Sequence, residues 1–295
     1  MRTALSVFAL LGIMSSAQAA VDIETALNKA RAACGGISEE LNTMKTMAGV
    51  GTAVSAVGTV AGGVALGTGI AKAKIDKKLE CASCPPGEEF CVVACVEVDN
   101  EAPEQGSNEY DELAKKSETL GNIRTGTLAA TTATNIAGAA VGGVNMKKAR
   151  GSLTEQVSDC LASVKELSAA YGQARISRTA SEEDLGRIET IVRVCDEWST
   201  VDLSKIDNRA TGAFASSVVG AATGAAGTIT SALSNTDEMR MANNQKEKNL
   251  NTASNVLAGT ATVASGAATI FNATQISVIK RASTVADACE GALKY

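Results

Sequence analysis

Four long stretches of this chain carry no charged side chain: residues 46–71, 125–146, 210–236 and 249–279. Charged, polar segments separate them. In the first stretch Val50, Val54, Val57 and Val64 recur at helical spacing, and Gly51, Gly58, Gly62 and Gly69 form a second stripe beside them. No proline interrupts any of the four. Pro85, Pro86 and Pro103 all fall between Leu79 and Lys115, so the pattern predicts long helices with one irregular tip. Glycine costs about 1 kcal/mol per residue relative to alanine in a helix, and Val and Thr also rank below alanine. Helices of this composition must draw their stability from tertiary packing.

The cysteines give these helices an order. Forty-five residues after Cys34 comes Leu79, and 45 before Cys160 comes Lys115. The same steps from Cys195 and Cys289 reach Arg240 and Asn244, which nearly touch. Each half of the chain reads as two equal arms folded back on a tip, with a cysteine at the base of each arm. Weak similarity supports an internal duplication: residues 22–34 align with 184–195, and 120–160 with 250–289, within one residue. The expected fold is all-α. Two long antiparallel helical hairpins form an elongated four-helix assembly, with a small Cys-rich tip insert. Residues equally far from a tip face one another, which favours Cys34–Cys160 and Cys195–Cys289 disulfides over pairing across the halves. Closing loops this long contributes about 4–5 kcal/mol in the chain-entropy model.

The expected division is a signal peptide at 1–19, a first hairpin at 20–174 with its tip insert at 80–114, and a second hairpin at 175–295. In the insert, residues 90–98 read as a short strand, Pro85-Pro86-Gly87 as a turn and 99–108 as an acidic loop. Asn243-Asn244 reads as the tight turn of the second hairpin. A helix–loop–helix connector is expected over 161–194, with a helix start at Ser181 and Asp184.

Arg2, an apolar run from Leu5 to Ile13 and the small residues of Ala17-Gln18-Ala19 have the form of a secretory signal, with Ala20 as the expected mature start. The apolar run is too short to span a bilayer. Export permits disulfides, and the eight cysteines are an even number. The expected location is the periplasm or cell envelope, with association to a membrane or secretion as further possibilities. The net charge of −5 argues against nucleic acid as the main partner. Aromatic residues make up only 3% of the chain, too few for a conventional large aromatic core.

Cys81, Cys84, Cys91 and Cys95 form C-x2-C-x6-C-x3-C. Four thiolates at such spacing suit zinc or an iron–sulfur cluster, and C-x-x-C suits a redox centre. Export favours instead two disulfides stapling a small tip, and the nested pairing Cys84–Cys91 within Cys81–Cys95 fits a hairpin. No cofactor or metal is expected.

Small-x-x-x-small steps recur at Gly58/Gly62, Gly63/Gly67, Gly138/Gly142 and Gly220/Gly224. Such steps let helix backbones approach closely and are common in membrane helix pairs. In composition and spacing they resemble the glycine-zipper segments of bacterial envelope proteins. The stretches are long enough to cross a bilayer and have basic flanks, Lys45 and Lys72, Arg124 and Lys147, Arg209 and Arg240, Lys248 and Lys280. They are also rich in Gly, Ser, Thr and Asn, poor in Leu and Phe, and without aromatic belts. A soluble bundle with coiled-coil packing and an inserted one both fit these features. Phe214 and Phe271, 19 and 18 residues from their base cysteines, are expected to meet across the second hairpin.

The chain has no histidine, which removes the commonest general base and metal ligand. Carboxylates such as Glu39, Glu40, Asp202 and Asp207 have no nucleophile to activate, and no glycine-rich phosphate loop stands between a strand and a helix. The sequence therefore reads as a non-enzymatic structural or interaction protein of the envelope. Its partners are a membrane or further copies of itself, with no small-molecule ligand inferred. A secreted pore-forming protein or effector is the alternative.

Overall fold

The computed structural model describes residues 23–83, 95, 102–178, 180–236 and 244–294. The signal segment, the expected strand at 90–98 apart from Cys95, and the Asn243 turn lie outside the described residues. Every described element is helical. Residues 23–34 form α1, Ile37–Ala82 α2, Asn108–Lys148 α3, Thr154–Ser177 α4, Glu182–Asp196 α5, Leu203–Ser234 α6 and Asn244–Lys294 α7. A π turn, Ala149–Leu153, joins α3 to α4, and a 3-10 turn, Glu197–Thr200, follows α5.

Local sequence explains the breaks. Gly36, at φ 90°, separates α1 from α2 in a conformation that favours glycine. Arg178 closes α4 in the left-handed conformation, with its N–H on the Ala174 carbonyl. Ser181 caps α5 by accepting the Asp184 N–H at 3.1 Å, at the helix start expected there. The connector is thus a helix–loop–helix.

The chain divides into two compact units. Unit 1 holds residues 1–49, 143–211 and 272–295, and unit 2 holds 50–142 and 212–271. Each unit draws on both halves of the sequence.

Unit 1 has a core of large apolar side chains. Ile37, Leu41, Met44, Leu153, Leu167, Ile191, Trp198, Ile206 and Ile279 are all buried together around the base cysteines. Large apolar side chains fill this interior as the hydrophobic effect requires. Ion pairs edge it, among them Lys29–Glu166 and Arg150–Asp207.

Unit 2 is built differently. The buried positions on its stretch of α2 are Gly51, Ser55, Gly58, Gly62, Ala65, Gly69 and Lys72. Their spacing alternates four and three residues, the heptad register of helices packed at a shallow left-handed angle. The same alternation gives Ser117, Gly121, Arg124, Leu128, Thr131, Asn135, Gly138 and Gly142 on α3. On α6 it gives Ala213, Ser217, Gly220, Gly224, Gly227, Ser231 and Ser234, and on α7 Asn251, Ser254, Ala258, Ala261, Ser265 and Ala268. Leu128 is the one large aliphatic side chain among them.

Candidate functional site

The outer surface of unit 2 is the most unusual feature of the molecule. Sixteen large aliphatic side chains are exposed among the described residues, and fourteen of them belong to unit 2. Val60 is 69% exposed, Val263 73% and Ile270 63%. Val50, Val57 and Val64 of the α2 valine stripe therefore face outward, Val54 is half-buried, and the glycine stripe beside them faces inward. Unit 2 carries its large apolar groups outside and its small and polar groups inside, the reverse of unit 1. Large exposed apolar patches on a protein mark interaction or membrane surfaces.

Threonine hydroxyls on that surface are turned inward to their own helices. Thr68 donates to the Val64 carbonyl at 2.9 Å, Thr127 to Ile123 at 2.9 Å, Thr223 to Val219 at 2.8 Å and Thr260 to Val256 at 2.9 Å. A hydroxyl bonded to the carbonyl four residues back needs no water and presents its methyl group outward. Three helices are long and apolar enough to cross a membrane, 23–82, Leu203–Ser234 and 246–294, and only 28%, 28% and 33% of their apolar windows is buried. The helix of 108–148 is not one of them.

The interior shows why the glycines are needed. A Cβ on Gly58 would stand 2.8 Å from Thr134 Oγ1 and 3.2 Å from Ser265 Oγ. One on Gly142 would meet the Phe214 backbone at 3.1 Å, and one on Gly220 the Asn135 amide at 2.7 Å. Gly224 faces Thr132 Oγ1, Gly138 faces Ser217 Oγ, and Gly62 is pressed on Thr262. Gly63 and Gly67 differ: nothing lies within 4 Å of a Cβ at either position. Adjacent to the buried register, they fall on the outer face and take no part in this packing. Phe271 lays its ring on Gly212, with a Cβ there 2.8 Å from Cδ1, while Phe214 offers its backbone to Gly142.

Some of the polar groups inside this packing bond one another. Asn135 and Ser265 are bonded, as are Thr125 and Ser231 at 2.9 Å. Ser55 Oγ and Ser217 Oγ are buried with no partner. Toward one end of unit 2 the interior becomes charged. Lys72, 1% exposed, donates to Asp76 at 2.6 Å and lies 3.4 Å from Glu247. Ser117 bonds the other Asp76 oxygen. Arg124 holds the Asn251 side chain at 3.2 Å and its carbonyl at 3.1 Å. A cleft of about 230 Å³ opens here, lined by Asp76, Glu80, Glu247, Ser83, Ser117 and Tyr110. Each of its carboxylates has a lysine partner, Lys72 for Asp76 and Glu247 and Lys248 for Glu80 at 2.5 Å. The cleft thus offers a cation no uncommitted charge.

No protein-family model, curated protein or solved structure matches this chain.

Six of the eight cysteines can be placed. Cys34 is bonded to Cys160 and Cys195 to Cys289, all four buried in the unit 1 core. Cys81 is bonded to Cys95 at the end of α2. Cys84 and Cys91 lie outside the described residues. The disulfides imply an oxidising environment.

Among the carboxylates, Glu40 is built into unit 1. Burial alone would raise its carboxyl, but Lys148 donates to its two oxygens at 2.9 and 2.8 Å and Ser152 at 2.8 Å, and together they hold it below the usual carboxylate range. Exposed Asp202 is lowered mainly by the Ser204 hydroxyl. The sequence reading missed Asn135, Ser265 and the Lys72 cluster. The signal was present in the alternating four–three spacing of small and polar residues, which a search for apolar stripes passes over.

Proposed function

We propose that this is an exported, non-enzymatic protein of a bacterial cell envelope whose unit 2 helices lie in a membrane. Val60, Val263, Ile270 and their neighbours face acyl chains, and the small residues inside let four helix segments pack closely. The two-hairpin duplication and its four-helix assembly belong to the same proposal. The reversed polarity of unit 2 carries the reading: helices that bury Gly, Ser and Asn while presenting Val and Ile have no reason to do so in water. Between lipid-borne helices, by contrast, packing and hydrogen bonds replace the hydrophobic effect. Internal bonding of the outer threonines supports it, since hydrocarbon offers no partner to a free hydroxyl. Gly63 and Gly67, with Val60 and Val64 beside them, give α2 an outward small-x-x-x-small face suited to a second copy of the chain.

The test is alkaline extraction of membranes from cells exporting the full chain. Retention in the membrane pellet is the expected result. Quantitative release as a soluble, disulfide-bonded monomer would overturn the proposal.

A pore-forming activity is the second reading, favoured by the buried, unpartnered Ser55 and Ser217 hydroxyls. It requires the tight glycine layers to part. Dye release from liposomes would mark it, and intact liposomes under both oxidising and reducing conditions would remove it.

A further inference from the structure

The two base disulfides of unit 1 lie against each other. Three of their sulfurs, those of Cys34, Cys160 and Cys289, are mutually within 4.8 Å, although Cys289 is bonded to neither of the other two. All four cysteines are at most 1% exposed. Helices α1, α4, α5 and α7 each contribute one.

We propose that these two disulfides form a single exchange-coupled unit, in which opening the Cys195–Cys289 bond hands the change on to Cys34–Cys160. When local opening of unit 1 exposes it, a dithiol reductant attacks Cys195 Sγ. Cys289 leaves as the thiolate, and the resulting mixed disulfide on Cys195 resolves by the reductant's second thiol, which leaves as a cyclic disulfide. Cys195 is then a thiol, and two electrons have passed from the dithiol to the pair. Cys289 Sγ next attacks Cys34 or Cys160, forming a Cys34–Cys289 or Cys160–Cys289 bond and releasing Cys160 or Cys34 as a thiol. The second step is thiol–disulfide exchange and needs no further oxidant or reductant. In the crossed state with Cys34, α1 is tied to α7 and α4 is freed. Cys289 Sγ, within 4.8 Å of both sulfurs of the remaining disulfide, is the attacking group already beside it.

The variant Cys195→Ser generates the attacking thiol without any reductant. Expressed in the oxidising envelope, purified, acid-quenched and mapped by mass spectrometry, it is expected to show Cys289 divided between a free thiol and bonds to Cys34 or Cys160. Wholly free Cys289 beside intact Cys34–Cys160 would overturn the proposal. So would new bonds from Cys289 to Cys81 or Cys95, which mark general scrambling. Should the variant lack the parent's helical circular dichroism, native protein treated with one equivalent of dithiothreitol and quenched in acid answers the same question. Crossed Cys289 peptides are then expected, and their absence once Cys195 has become a thiol would overturn it.

Discussion

Asn135 and Ser265 hold each other inside unit 2. The Asn135 amide donates to Ser265 Oγ at 2.9 Å, and that hydroxyl lies 3.0 Å from Asn135 Oδ1. Glycines make room for the pair: a Cβ at Gly220 would strike the Asn135 amide, and one at Gly58 would crowd Ser265. Two polar side chains and two glycines thus form one interlocked layer. Replacing Ser265 with alanine leaves Asn135 bonded only to the Thr131 carbonyl. Bonds of this kind between membrane helices contribute about 0.6 kcal/mol on average and up to about 1.7. Ser265→Ala should destabilise unit 2 by about 1 kcal/mol in reversible unfolding in detergent.

The two classes of glycine should respond oppositely. Gly142→Leu forces a side chain against the Phe214 backbone, which cannot swing aside, and overpacking of this kind costs about 1–3 kcal/mol. Gly67→Leu adds a side chain into open space and replaces a poor helix former, which should stabilise α2 by up to about 1 kcal/mol. Thermal unfolding of the two variants, followed by circular dichroism, should move in opposite directions.

Most of the secondary structure was legible from the sequence because long uncharged, proline-free stretches leave few alternatives to helix. The arm counts pointed to the cysteines that lie together at the base. The polarity of unit 2 was not legible. Val50, Val57 and Val64 carry a helical period, and such a stripe ordinarily marks a core. Here the interior belongs to Gly51, Ser55 and Gly58, whose hydropathy is that of a surface. The break at Gly36 and the π turn at 149–153 depend on backbone geometry. That turn shifts the register so that Ala149, Leu153 and Val157 follow one another at steps of four.

Lys72 neutralises two carboxylates from a buried position. Lys72→Met leaves Asp76 and Glu247 facing each other without it, and removing one partner of a buried ion pair costs about 3–5 kcal/mol. Asp76 and Glu247 keep some exposure, which places the expectation at the lower end, about 3 kcal/mol. Denaturant unfolding of the variant beside the parent gives the number. An unchanged midpoint would mean that water, and not Lys72, balances these carboxylates.

Glu40 should make unit 1 sensitive to acid. Its carboxyl is held below the unfolded value of about 4.3. The unfolded chain therefore binds the proton first as pH falls. The contribution of Glu40 is present in full above that value and is lost as pH drops through the lowered folded pKa. Glu40→Gln should remove this part of the acid dependence, so that parent and variant converge at low pH and differ most near neutrality. Urea midpoints from about pH 7 to about pH 3 test it. A constant difference across that range would contradict it.

Charges on the outer face should decide where the protein resides. Val60→Glu and Val263→Glu touch nothing in the interior, and a soluble bundle would accept both within about 0.5 kcal/mol. A charge near the centre of a bilayer-spanning helix opposes insertion by about 2.5–3.5 kcal/mol. The double variant should therefore leave the membrane fraction while keeping its disulfides.

Lipid contact at Val263 is the most direct test of the central claim. Trp198 is the single tryptophan and lies buried in unit 1, so a Trp198→Phe, Val263→Trp protein reports from the outer face of unit 2 alone. Reconstituted into vesicles, its emission should be blue-shifted and strongly quenched by lipids brominated along their acyl chains. Red-shifted emission, quenched by aqueous iodide and untouched by the brominated lipids, would place this face in water and contradict the membrane reading.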